Sequence, residues 1–181
     1  MGEANVRQRL VSHLSSNPPG LIVATGFAGA LNPKLQVGDL VYEDSLSNPR
    51  LEKVLKSATA RPGKFFSSNR ILITPAEKKA ARQKTGADLV EMEFAATKEL
   101  AQKYNIPLIG LRVISDSATE KLPLDFNSLL NADLEIDYSQ LVGALFRQPW
   151  KIRALLEFRK QLVVAAKNLG SALLKLSQCG D

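Results

Sequence analysis

Residues 90–96 read VEMEFAA and residues 108–118 read LIGLRVISDSA. The first stretch sets two carboxylates, Glu91 and Glu93, one residue apart where an apolar run meets the start of a helix. The second places Arg112 among Ile109, Leu111, Val113 and Ile114 and closes on Asp116. Such groups can bind hydroxyls, stabilise a developing cation and move a proton. A guanidinium among aliphatic side chains needs an acidic partner, and Glu91 or Glu93 is the natural one. Two readings of the cluster fit. In one, the acids favour a helix N-terminus through its dipole and Arg112 merely pairs with one of them. In the other, they form a polar pocket whose acids bind hydroxyls and whose Asp116 transfers a proton.

These residues must be held by elements of regular structure. Residues 88–115 read as strand, helix, strand, and in open α/β sheets ligands bind beyond the carboxyl ends of parallel strands. That rule puts Glu91, Glu93, Arg112 and Asp116 on one rim. Upstream, residues 3–14 carry a weak helical period through Val6, Leu10 and Leu14. SSNPPG breaks it and LIVAT follows as a strand, then TGFAGALNP as a glycine-punctuated turn. VGDLVYED and RILIT (70–74) read as further strands. Pro75 opens a helix over 76–84 that Gly86 ends, and 94–104 reads as another helix. Residues 118–138 are irregular and acidic towards their end, a loop with a short helix. Strands alternating with helices predict an α/β fold with a mixed, largely parallel sheet flanked by helices.

The 181 residues, 45% hydrophobic and 23% charged, suit a globular core rather than a disordered chain. The single cysteine, Cys179, excludes an intramolecular disulfide and fits a reducing cytoplasm. It has no His or Cys partner for a metal, and His13 lies on a polar helical surface. MGEANVRQRL lacks the apolar core of a signal peptide, and LIVATGFAGAL is too short to span a bilayer. The net charge of +6 allows an anionic partner, but basic residues without interleaved aromatics argue against nucleic acid. Much of that charge sits in a long helical tail after residue 138, at Arg147, Lys151, Arg153, Arg159, Lys160, Lys167 and Lys175. Leu155, Phe158, Leu162, Val163, Ala166, Leu169 and Leu173 recur there at helical spacing. The chain thus divides into an α/β domain over 1–138 and an amphipathic helical segment over 139–181 packed on it. The alternative for residues 147–175 is an interfacial helix on anionic lipid, with Trp150 at its edge.

VEMEFAA, LRVISDSA and the upstream ATGFAGALNPKLQVGDLVYED (24–44) together resemble the signature of the purine nucleoside phosphorylase and methylthioadenosine/adenosylhomocysteine nucleosidase superfamily. TPAEKKAARQKTGA (74–87) and the basic tail look most like its hopanoid-associated branch, whose substrate is an adenosylated hopanoid lipid. The resemblance implies a phosphorylase/hydrolase-like fold and cleavage of the N-glycosidic bond of a purine nucleoside. It implies no metal and no organic cofactor. Asp116 would protonate or hydrogen-bond purine N7, and Glu93 would take the ribose hydroxyls. Met92 would pack on the ribose, and Arg112 would orient the nucleophile and the glutamate. Ser115 belongs to the same motif as Arg112, Gly26 to the glycine turn, and Glu91 would support Glu93 or Arg112.

The sequence departs from that pattern in two places. Phosphorylases carry an arginine and a serine around the glycine turn to hold phosphate, whereas Ala24 and Phe27 stand here, so hydrolysis fits better. Phe27 would line the pocket or pack in the core. Family members also begin with a strand and a glycine loop whose glutamate activates water or whose arginine binds phosphate. The resemblance here starts at the helix before ATG. The expectation is an exposed sheet edge that favours self-association, with weak nucleoside binding and slow or absent hydrolysis. A phosphorylase using phosphate and a catalytically silent, nucleoside-binding or oligomer-forming relative are the alternatives.

Overall fold

The structure is a computed structural model that describes residues 3–16, 18–44, 49–131 and 137–178. The chain opens with helix α1 (Glu3–Ser16), strand β1 (Ile22–Ala30), strand β2 (Leu40–Asp44) and helix α2 (Pro49–Ser57). Short strands β3 (Arg61–Pro62) and β4 (Phe65–Ser67) precede helix α3 (Pro75–Thr85), strand β5 (Leu89–Glu91) and helix α4 (Phe94–Lys103). Strand β6 (Leu108–Asp116), a 3₁₀ turn at Phe126–Leu129, and helices α5 (Tyr138–Arg147) and α6 (Lys151–Ser177) complete it. Cys179 and the acidic residues Asp133 and Glu135 lie outside the described residues.

The strands form one mixed sheet in the order β3-β2-β6-β1-β5-β4. The pairs β1–β6, β2–β3 and β4–β5 are parallel, and β1–β5 and β2–β6 are antiparallel. All nine residues of β6 are buried. Period-two geometry sends alternate side chains of β6 to opposite faces. Ile109, Leu111 and Val113 join Leu55 of α2 and Ala165, Leu169 and Ala172 of α6. Leu108 and Ile114 join Ala28, Phe65, Leu89 and Phe94. Gly110 shares that second face for want of room: a Cβ there would lie 2.6 Å from the Phe94 ring and 2.7 Å from Phe65.

Several local readings hold. Pro75 opens α3 and Gly86 ends it in a left-handed conformation at φ 66°, and the structure adds a reciprocal cap between Thr74 and Glu77 that was not read from the sequence. Helix α1 packs Leu14 against Leu100 and Ile106, with Leu10 alongside. The helical tail consists of two helices, broken at Gln148-Pro149-Trp150, because Pro149 cannot continue a helix. Its inward face is rotated from the one expected: Ala165 and Ala172 are buried while Val163 is 47% exposed.

Others fail. The glycine stretch is not a turn but the middle of β1, and the turn comes only after Ala30. RILIT is not a strand. Its backbone is satisfied from elsewhere in the chain: Asn127 accepts from Ile71 N–H and donates to its carbonyl, and Leu122 N–H donates to Ile73 O. The strand in that region is β4, five residues earlier by its start (Phe65 against Arg70). The single rim also fails. β5 runs antiparallel to β1 and β6 runs parallel to it, so the carboxyl ends of β5 and β6 point in opposite directions. The expected open edge is relocated as well. The outer strands are the short β3 and β4, whereas β1 meets β5 only at Gly29 and Ala30. Among the described residues no strand pairs with Ile22–Ala28 on that flank.

The α3 cap has a measurable consequence. Thr74 N–H at 2.9 Å, Arg70 and Ile73 N–H hold the Glu77 carboxyl down at about 2, against burial that raises it. A depressed carboxyl contributes stability that is full above the ordinary glutamate range and lost as pH falls through about 2. Glu77→Gln is expected to lower stability by about 1 kcal/mol at neutral pH. That deficit should shrink towards zero near the folded value. Thermal melts of both proteins across this range check it, and a deficit independent of pH would contradict it.

Candidate active site

Gly29 of β1 leaves room for the site, and Gly26 lies beside it without being crowded. A Cβ at Gly29 would lie 3.1 Å from Asp116 Oδ2 and 3.3 Å from Val90, and one at Gly26 would lie 4.0 Å from Arg112 Nε. Without a side chain at Gly29, the Asp116 carboxylate can lie over the neighbouring strand. A cavity of about 430 Å³ opens there. Gly26, Phe27, Glu91, Met92, Glu93, Arg112, Ser115 and Asp116 all line it, so the residues that the resemblance gives a catalytic or binding part come to one place. They are gathered by a face of the sheet and the loops around it, not by a rim.

Glu91 and Glu93 have different surroundings. Glu91 is 6% exposed, and its Oε2 accepts from Arg112 Nη2 at 2.9 Å, Glu93 N–H at 2.9 Å and Phe94 N–H at 2.7 Å. Its Oε1 accepts from the Ser67 hydroxyl. Glu91 therefore caps α4 and balances the buried guanidinium at once. Arg112 Nη1 donates to Ala24 O at 2.6 Å, which ties the pair to β1. Glu93, half-buried at the first turn of α4, lines the main cavity and also a second one of about 360 Å³. Arg112 is the other charged residue common to both walls, and the second cavity runs between β1 and α1, past Arg9 and His13.

Asp116, 4% exposed, ends β6 where a register shift opposite Ala28 and Gly29 turns it towards the cavity. Its Oδ1 lies 2.6 Å from the Ser115 hydroxyl, which also lies 3.1 Å from Ala28 O. Its Oδ2 takes a bond of 2.5 Å from Lys78 Nζ. Lys78 was not among the residues chosen from the sequence. The signal was present, since Lys78 shares the inner side of its helix with Thr74, Ala81 and Thr85, but a lysine in KK reads as solvated.

The remaining walls come from the segment misread as a strand, at Arg70, Ile71 and Leu72, and from Leu122, Phe126, Phe158 and Leu162. The lining thus combines charged groups with a set of large apolar side chains. Among the described residues no group of His, Cys, Asp and Glu is arranged to hold a metal ion, and no helix is long and apolar enough to cross a membrane.

A family model described as the phosphorylase superfamily matches residues 43–134. 5′-Methylthioadenosine/S-adenosylhomocysteine nucleosidase of Staphylococcus aureus strain bovine RF122 / ET3-1 is 24% identical over 180 residues, covering 82% of this chain and 78% of that protein. The fold is shared with the solved 5′-methylthioadenosine/S-adenosyl homocysteine nucleosidase of Campylobacter jejuni, at a TM-score of 0.68 and 22% identity over 99% of this chain and 77% of that one. The Neisseria meningitidis nucleosidase in complex with methylthio-immucillin-A gives a TM-score of 0.68 at 18% identity, covering 98% of this chain and 77% of that one. Native futalosine hydrolase of Helicobacter pylori gives 0.61 at 19%, covering 96% and 76%.

Proposed function

Because the chain belongs to the phosphorylase superfamily, we propose that it is a purine nucleosidase-like protein that cleaves the N-glycosidic bond of a 5′-substituted adenosine with water. The observation that carries this reading is the cavity in which Asp116, Glu93 and the buried Glu91–Arg112 pair face one another across a glycine strand. In the reaction the C1′–N9 bond breaks and its electron pair stays with the purine. Asp116 takes a proton from solvent and gives it to purine N7, and the oxygen of water bonds to C1′ while a proton leaves it for solvent. Positive charge builds on the ribose as the bond opens, and Glu93 is the carboxylate assigned to the sugar hydroxyls and that charge. Met92 packs on the ribose, and Arg112 holds Glu91 and the backbone around the site.

The choice of water rests on β1. Phe27, 44% exposed, lines the main cavity, and Ala24 lines the second. Neither carries a donor for a phosphate dianion. Incubation of methylthioadenosine or S-adenosylhomocysteine with and without phosphate is expected to release adenine at the same rate. A pentose 1-phosphate product would overturn this in favour of a phosphorylase.

A second reading, a nucleoside-binding relative with little turnover, is favoured by Glu91. Its oxygens already hold four donors, from Ser67, Arg112, Glu93 and Phe94, so it is badly placed to activate water. Adenine release below roughly 1 per second, with nucleoside binding seen by calorimetry, supports that reading.

The apolar lining residues Leu122, Phe126, Phe158 and Leu162 suit an apolar 5′ substituent, and an adenosylated hopanoid is the candidate taken from the sequence. With such a substrate in the cytoplasm, exposed Phe146 (84%) and Trp150 (71%), beside Arg147, Lys151 and Arg153, would meet an anionic membrane surface. A homo-oligomer that covers the open flank of β1 belongs to the same reading.

A further inference from the structure

Lys78 is 0% exposed, and its ammonium donates to Asp116 Oδ2 at 2.5 Å, Ser117 O at 2.7 Å and Glu120 O at 3.0 Å. Burying a lysine is costly unless its charge is paired and its protons are used. Here three acceptors use all three protons. A tether between α3 and the loop after β6 could have been made from neutral donors at less cost. The charge is directed instead at the one carboxylate of the cavity assigned to the leaving base. We propose that Lys78 is a positioning residue for Asp116, fixing its carboxylate and balancing the negative charge it carries before it takes up a proton and again once that proton has passed to the purine. The inference rests on the reading of Asp116 given above.

The balance of the step is simple. Asp116 rests as the carboxylate partner of the ammonium, takes one proton from solvent as the substrate binds, and passes it to N7, while the ammonium keeps its protons and remains the counter-charge. Because it is already in place at 2.5 Å, no reorganisation is needed as the charge develops. Ser115 completes the arrangement by occupying Oδ1.

The test separates this role from a merely structural one. Lys78→Gln keeps donors for Ser117 O and Glu120 O but removes the charge, and Lys78→Met removes both. In the otherwise unaltered chain each is expected to lower kcat for adenine release by about 10²-fold with KM changed less than about threefold. In the Asp116→Asn background the same changes should cost less than about threefold, because the group they act on is gone. Equal losses in both backgrounds would show that Lys78 serves only the fold, and would overturn the inference. Binding of 9-deazaadenine, whose position 7 carries an N–H for a carboxylate, gives a second readout that needs no turnover. Lys78→Gln should weaken it by about tenfold, and not in the Asp116→Asn background. Binding that follows this pattern without any adenine release removes the proposed hydrolysis and keeps the inference. Adenine release with equal losses removes the inference and keeps the hydrolysis.

Discussion

Asp116→Asn is expected to lower the rate of adenine release by about 10²-fold or more, with little change in KM. The amide has the shape of the carboxyl but cannot hand over an acidic proton, so the loss falls on bond cleavage rather than on binding. The substitution would also leave the Lys78 ammonium, fully buried and 2.5 Å from the carboxylate it pairs with, without an anionic partner. Some destabilisation is therefore expected, and kcat must be read below the variant's melting transition. The measurement is steady-state release of adenine by both proteins, with a melt of each. An unchanged rate would remove Asp116 from the chemistry.

The largest effect on stability is expected from Arg112→Met. Both members of the Glu91–Arg112 pair are almost wholly buried, with side chains 2% and 3% exposed. Removing the cation leaves Glu91 uncompensated in a low-dielectric interior and takes a donor from Ala24 O. Breaking a buried pair in this way costs about 3–5 kcal/mol. Domains of ordinary stability have about 5–15 kcal/mol in total, so the variant should unfold at much lower denaturant or temperature. Methionine also fits beside Phe65, whose ring centroid is 5.9 Å from the guanidinium carbon, so little of the loss should come from packing. Replacing Glu91 as well should not restore the protein. Glu91 also accepts from Ser67, Glu93 and Phe94, and an apolar side chain would orphan those donors. Urea denaturation of the single and double variants tests both statements. A cost below about 1 kcal/mol for Arg112→Met would mean that the guanidinium is dispensable to the fold.

The answer to why two acids stand one residue apart combines both sequence readings. Glu91 does what the structural reading says, capping α4 and pairing with Arg112. Glu93 lies against the cavity, as the pocket reading requires. Both line the cavity, but the oxygens of Glu91 are taken up by Ser67, Arg112 and the start of α4, so it serves the fold, while Glu93 is the half-buried one of the two.

What the sequence determined by itself was local. The capping box at Thr74 and Glu77, the stop at Gly86 and the buried run of β6 are each set by residues within a few positions of one another. Short-range hydrogen bonding and side-chain period are enough to specify them. The motifs around Glu91–Glu93 and Arg112–Asp116 were legible for the same reason: each is a compact group of unusual residues in an apolar run. Tertiary structure alone decided how these pieces meet. It set β1 between β5 and β6, and so placed the charged groups across a face instead of along a rim. It satisfied the RILIT backbone from Asn127 and Leu122, some fifty residues on, and thereby made a loop of a segment with strand composition. It also put the β1 glycines in a strand instead of a turn, Gly29 there leaving space for Asp116, and carried Lys78 onto a carboxylate 38 positions away. Such long-range pairings depend on which surfaces bury one another best, a property of the whole chain that no short stretch contains.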